Sequence, residues 1–406
     1  MKTQVKSKQF GEYYHKFNMK RFWIIAGITL GIFILLLILS STIDFDVSWF
    51  LAKNKFVTES YKDFEDVWYF SYNPWDNLVE SFGDAPGPLI CMFGLWLMAF
   101  PFFYIDKVRV TWWRRTAQVI IPAFLIATAL WIVYYYNYYM GFNDYLKIVE
   151  GDFKDQVNYF VAILFSLALN GIVCVLISKF RQSTRISLAK LGALFVIGFI
   201  FSEIFIWTLK FQADLNRERF RAIMVDYNNW KATGTAGMYV IDKEKCLIAF
   251  HDWWMKTPIS AKTQWADSVA WLGYSKYANN AFSSFPSGHS SLAACSMALC
   301  FLPCCYDKAG NKEWKGYFIW LIALGLTLTI MFSRVGAGAH YLSDTTIGFF
   351  FGAVPMLITG LIIFKIPKVN SYLQQMNING NWYHFVIIPI ILPVVIWLIT
   401  NVLPWA

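Results

Sequence analysis

Two histidines, each set beside groups that suit phosphate, carry most of the chemistry in this sequence. One lies in Ser333-Arg-Val-Gly-Ala-Gly-Ala-His340-Tyr-Leu-Ser-Asp344, between two long apolar runs. His340 and Asp344 are four apart, which puts them on one helical face if the second helix has already begun. A carboxylate beside an imidazole fixes its tautomer and stabilises its cation, so the other ring nitrogen can act as nucleophile or base. Arg334 adds a permanent charge suited to phosphate oxygens. Gly336, Ala337, Gly338 and Ala339 let backbone approach a ligand closely. The plain alternative is a helix-hairpin turn whose Arg and His are interface residues.

The other histidine stands in Phe285-Pro286-Ser287-Gly288-His289-Ser290-Ser291. Pro, Ser and Gly at a helix start leave backbone N–H groups pointing outward, a ready anion site. His289 at that terminus could give a proton to a leaving oxygen, although a lone helix-end histidine is commonly just an interface residue. A third cluster, Lys210-Phe-Gln-Ala-Asp-Leu-Asn-Arg217-Glu-Arg219-Phe-Arg221, offers several fixed cations. Snorkelling at a helix end explains Lys210 equally well.

The elements that must hold these groups are membrane helices. Hydrophobic residues make up 57% of the 406-residue chain and charged ones 15%, which excludes a string of soluble domains. Apolar runs of about 20 residues recur, each enough to cross a bilayer core. The expected fold is all-α, a polytopic transmembrane bundle of about nine spans. They fall near residues 22–42, 87–105, 116–136, 159–178, 187–209, 290–305, 316–332, 341–364 and 382–402. The first run is too long for a signal-peptide core and reads as a retained helix. A formal charge of +9 does not imply a nucleic-acid partner, because the positives are dispersed over short loops. The cysteines show no zinc spacing and no disulfide framework.

Loop charges give the orientation. The N-terminus with Lys2, Lys6, Lys8, Lys16, Lys20 and Arg21 shares a side with the loops around Arg114, Arg181, Lys312 and Lys368. That basic side is expected to be cytoplasmic. The opposite side takes Asp44, Asp46, Glu59, Asp63, Glu65, Asp66, Asp76, Glu80 and Asp84, and with them Arg334, His340, His289 and the Lys210 cluster. Arginines on an outer face run against the positive-inside bias, as an anionic ligand would require. Two outer loops, 43–86 and 210–285, are rich in tryptophan, which favours the headgroup level. Glu203, inside the fifth span, is an intramembrane carboxylate read chiefly as a neutralising partner or as the base of the site.

With these three clusters, Lys-(six)-Arg, Pro-Ser-Gly-His and Ser-Arg-(five)-His-(three)-Asp, the chain resembles the phosphatidic acid phosphatase type 2 superfamily. The second and third motifs are complete; the first has Glu218 where the family has Pro. An alternative register, Asn216-Arg217-Glu218-Arg219-Phe220-Arg221, looks like a Gly-Arg-x-Arg-Tyr-Arg variant, so the resemblance implies either Arg217 or Arg219 as the phosphate ligand. The resemblance covers roughly 187–365 and implies a six-helix phosphatase core in the C-terminal two thirds.

What the resemblance implies is a metal-independent lipid phosphate phosphatase without cofactors, acting at the plasma membrane on its outer face. His340 would be the nucleophile, Asp344 would orient it and His289 would serve as acid and base. Lys210, Arg217 or Arg219, Ser287, Gly288 and Arg334 would bind the phosphate. The partners are a lipid phosphate and the membrane, with no nucleic acid. Two other outcomes share these motifs: a binding or transport protein with a degenerate site, and a phosphotransferase. The chain then divides into 1–110 (basic segment, two helices, outer aromatic loop), 111–209 (helices three to five), 210–285 (outer loop with the first cluster), 286–365 (second and third motifs) and 366–406 (last helix).

Overall fold

The structure is a computed structural model that describes residues 19–52, 79, 83, 86–99, 182–212, 217, 219, 220, 223, 284–305 and 313–365. Spans expected at 116–136, 159–178 and 382–402, and most of both tryptophan-rich loops, lie outside the described residues. Every element among the described residues is helical. They are α1 (Met19–Ala52), α2 (Pro86–Ala99), α3 (Gln182–Trp207), α4 (Gly288–Ala294), α5 (Glu313–Gly336) and α6 (Leu342–Lys365). A π-helical turn, Thr208–Gln212, extends α3, and a 3₁₀ stretch, Cys295–Cys305, extends α4.

Among the described residues, five helices are long and apolar enough to cross a membrane by length and composition: Trp23–Ala52, Ser187–Lys210, Gly288–Cys305, Gly316–Gly336 and Leu342–Phe364. They make this an integral membrane protein. The outward side of α1, with Trp23, Ile28, Leu35 and Ile38 exposed, is a surface that only lipid or another apolar partner can satisfy.

The helices pack by alternating small and large residues. Along α6, Gly348 and Gly352 lie against the carbonyls of Ser287 and Ser291, where any Cβ would collide with α4. That close approach is the usual role of small residues between membrane helices. Phe33 of α1 stacks on Phe349 of α6 with ring centroids 3.5 Å apart. Ser202 of α3 donates to the Gly352 carbonyl at 3.2 Å, a cross-helix bond in an apolar layer. The cysteines at 91, 295, 300 and 305 are buried within this packing. Glu203 accepts from Trp207 Nε1 at 3.1 Å, one turn away on its own helix.

One boundary differs from the sequence reading. The first helix does not stop at Thr42 but continues through a kink at Ile43 to Ala52. Asp44 and Asp46, expected in an outer loop, are helical residues. The physical reason lies in the Ser40, Asp44, Ser48 stripe, which repeats every four residues and is buried along its whole length.

Candidate active site

The site forms where α3, α4, α5, α6 and the upper end of α1 meet. Its centre is the turn between α5 and α6. Ala337 N–H donates to the Ser333 carbonyl at 2.8 Å, and Gly338 N–H to that of Val335 at 2.9 Å. The Arg334 carbonyl accepts from both Ala339 and His340 N–H, at 3.1 and 3.2 Å. Gly338 has φ 62°, the left-handed conformation that ends a helix and that a Cβ disfavours. This turn leaves His340 two residues ahead of α6, almost fully buried.

His340 therefore precedes the helix rather than sharing a helical face with Asp344. Its Nδ1–H donates to the Ser284 carbonyl, and Asp344 Oδ2 lies 4.0 Å from the same nitrogen. A carbonyl can only accept, so the proton sits on Nδ1 and the lone pair on Nε2. Asp344 is spent elsewhere: Oδ1 accepts from Arg217 at 2.6 Å, while Oδ2 accepts from Tyr341 N–H at 2.9 Å and from the Ser284 hydroxyl. The bond to Tyr341 caps the first turn of α6 from within, as the acidic member of a capping box does.

Burial pushes the pKa of His340 well below the ordinary imidazole value, and the charges of Arg219, Arg334, Lys210 and His289 push it further down. Both effects favour the neutral ring, whose lone pair is then on Nε2. Those four groups are the ones the sequence had gathered around phosphate, and their fields converge on one ring. Lys210 stands in the π-helical turn that ends α3, a distortion frequent at functional positions. Its Nζ is 3.7 Å from where a Cβ on Gly288 would be. Arg334 is buried in the last turn of α5, and Arg219 is buried with an Nη1 bond of 3.4 Å to the Ala339 carbonyl.

Ser287 is the N-cap of α4: its Oγ accepts from Ser290 N–H at 3.3 Å and from the Ser290 hydroxyl at 3.0 Å. A hydroxyl that accepts twice still has its own hydrogen to donate. Ser287 N–H donates to the Asp344 carbonyl at 3.1 Å, fastening the start of α4 to the start of α6. His289 follows at the first turn of α4, half-buried, with Gly83 packed against its ring.

Arg217 is placed differently from the other cations. Its Nη1 donates to Asp344 Oδ1 at 2.6 Å and to Ser343 Oγ at 2.8 Å, and its Nη2 to Asp44 Oδ2 at 2.9 Å. The guanidinium also lies 4.0 Å from the centroid of the Tyr341 ring. A buried cation costs several kcal/mol unless it is paired, and here two carboxylates and an aromatic face answer it. Asp44 accepts in addition from Ser343 N–H at 2.9 Å and from the Ser343 hydroxyl. Asp44, Ser284, Ser343 and Gly83 were missed in the sequence. The four-residue repeat of Ser40, Asp44 and Ser48 was a usable signal for the first; nothing in the spacing marks the others.

Residues 250–368 match the family model of the PAP2 superfamily. Over that stretch the chain is similar to the PAP2 superfamily. The match takes in Ser284, the Pro286–His289 motif and the Ser333–Asp344 motif, whereas Asp44, Lys210, Arg217 and Arg219 precede it. This similarity suggests phosphatase-type activity and membrane association. No curated protein and no solved structure matches the chain.

Proposed function

We propose that the protein is a membrane phosphatase that hydrolyses the phosphate or pyrophosphate ester of a lipid through a phosphohistidine. The observation that carries this reading is the placement of His340: its Nδ1–H is given to the Ser284 carbonyl, and the charges of Arg219, Arg334, Lys210 and His289 bear on its ring and favour the neutral form. A neutral imidazole is a nucleophile, and phosphate would bring the negative charge that the surrounding cations demand.

In the first half-reaction Nε2 attacks phosphorus, the bond to the leaving oxygen breaks, and His289 supplies the proton that oxygen takes up. In the second half-reaction His289 removes a proton from water, which attacks the phosphohistidine and breaks the N–P bond. Inorganic phosphate leaves, and both histidines return to their starting states. Lys210, Arg219 and Arg334 hold the equatorial oxygens, where charge is spread in the transition state. The Ser287 hydroxyl and the Gly288 amide complete the cradle. Between the two registers of the first motif, the contacts favour Arg219 as the phosphate ligand, since Arg217 is held by Asp44 and Asp344. Asp344 acts through Arg217 and Ser284 rather than by a direct bond to the ring.

A lipid substrate suits a site held at the ends of membrane helices, and loop charges favour the extracytoplasmic leaflet. The deciding measurement is phosphate release from a panel of lipid phosphates and pyrophosphates by the purified protein with EDTA present. Release that His340→Ala abolishes is the expected result. No release from any of them, or equal release by His340→Ala, would sink the reading.

A further inference from the structure

Asp44 belongs to α1, far ahead of the family-matched stretch, yet it lies inside the site. It is buried, and it engages three groups that lead to His340 by short paths. Its Oδ1 accepts from the Ser343 amide at 2.9 Å, in the first turn of α6. Its Oδ2 accepts from the Ser343 hydroxyl and from Arg217 Nη2 at 2.9 Å. Arg217 in turn grips Asp344 at 2.6 Å, and Arg217 O accepts from the amide of Ser284, whose carbonyl receives the His340 Nδ1 proton.

Aromatic packing holds the same end of α1 in place. Phe45 and Trp49 sit 6.1 Å apart, and each meets Phe220 edge-on, at 5.7 and 6.4 Å. Phe220 meets Tyr341 at 6.4 Å, and Tyr341 underlies Arg217. The kink at Ile43 separates this upper end of α1 from the lipid-facing run below it.

We propose that Asp44 is a positioning residue of the phosphate-transfer site, so that the helix preceding the PAP2 stretch is part of the catalytic apparatus. It holds Arg217 and the start of α6 in the arrangement that aims His340 Nε2. This rests on the phosphatase reading above. Two carboxylates divide one guanidinium, so removing the Asp44 charge gives Arg217 to Asp344 alone and loosens Ser343. A shift of about 1 Å at an attacking atom can cost as much as 100-fold in rate.

The test compares Asp44→Asn, Asp44→Glu, Ser343→Ala and Asp46→Asn in the full chain. Asp46 is an exposed neighbour of the same charge, so its substitution controls for the field of α1. Expected for Asp44→Asn is a fall in kcat of about 10- to 100-fold with KM within twofold. Asp44→Glu should recover part of that fall, Ser343→Ala should lose less than Asp44→Asn, and Asp46→Asn should match the unsubstituted protein.

Binding of orthovanadate, a mimic of five-coordinate phosphorus, read as a thermal shift, supplies a second measurement independent of turnover. It should weaken about 10-fold or more in Asp44→Asn while inorganic phosphate binding stays within twofold. If Asp44→Asn does not accumulate folded, Ser343→Ala carries both measurements. An unsubstituted protein that binds vanadate in an Asp44-dependent way yet hydrolyses nothing breaks the phosphatase reading and keeps this one. Kcat and vanadate affinity within twofold in folded Asp44→Asn, or in Ser343→Ala where it stands in, overturn the proposal.

Discussion

His340 separates two regions built on opposite electrostatic plans. On one side Asp44, Arg217, Ser343, Ser284 and Asp344 satisfy one another: one guanidinium, two carboxylates and two hydroxyls in a closed set. On the other side Lys210, Arg219, Arg334 and His289 bring like charge toward a single ring. The first arrangement is stable without a ligand. The second gathers like charge that an anion would neutralise. Arg217 and Arg219 are only two residues apart, so the contrast shows how little sequence distance separates a cation paired with carboxylates from one whose charge bears on His340.

That contrast can be broken most directly at Arg217. Arg217→Ala leaves Asp44 and Asp344 facing each other in a buried space, so a loss of about 3–5 kcal/mol of stability is expected. Thermal unfolding in detergent, with and without Asp44→Asn in the same chain, measures it. Because the two groups touch, the double variant should recover part of the loss, a coupling of about 0.5–3 kcal/mol. Simple additivity would mean that the closed set is not a unit.

The matching substitution on the other side should behave in reverse. Arg219→Ala is expected to lower kcat/KM by about 100- to 1000-fold, the cost of one preorganised charge at a transition state. Its unfolding midpoint should stay near that of the unsubstituted protein. If Arg219→Ala unfolds the protein and Arg217→Ala spares stability but kills turnover, the two arginines have been assigned the wrong way round.

A pH profile sharpens the comparison further. His340 is neutral in the fold at pH values where a free imidazole would be charged. The acid limb of kcat/KM should therefore lie below about 6.5. Arg219→Ala removes one of the charges that depress this pKa, so the limb should move to higher pH. Stability follows the same sign. Above about 6.5 neither state binds the proton; as pH falls toward the folded pKa the unfolded chain binds more, and stability is lost. An acid limb that stays fixed in Arg219→Ala would remove that arginine from the neighbourhood of the ring.

Much of the cationic side was legible before any coordinates, because its parts are short motifs with rigid spacing. The Pro286–His289 segment places its groups at one helix start, and the Ser333–Asp344 segment places its groups around a single helix–helix joint. The satisfied side was hidden because it joins residues from distant parts of the chain: Asp44 to Arg217, and Ser284 to Asp344. A carboxylate just beyond an apolar run looks like any loop acid, and loop acids are common on that face. Only the four-residue recurrence of Ser40, Asp44 and Ser48 distinguished it, and that is a helical signal in a stretch expected to be a loop. The register of Arg217 against Arg219 was undecidable for the same reason. Which arginine meets carboxylates depends on what α1 and α6 bring to the spot, not on the spacing from Lys210.

The smallest effect belongs to the turn on which both regions depend. Gly338 has a positive φ, and the backbone bonds that converge on the Ser333, Arg334 and Val335 carbonyls require it. Gly338→Ala should cost about 1–2 kcal/mol, the penalty for an L-residue in that conformation. If the turn holds, the loss appears as a lower unfolding midpoint with kcat/KM little changed. If the turn yields, His340 shifts relative to both Ser284 and Arg219, and kcat falls while stability is largely spared. The second outcome would mean that the two regions hold His340 less firmly than the turn does. The closed set around Arg217 argues for the first, because Ser284 and the start of α6 are each fixed by bonds that do not pass through Gly338.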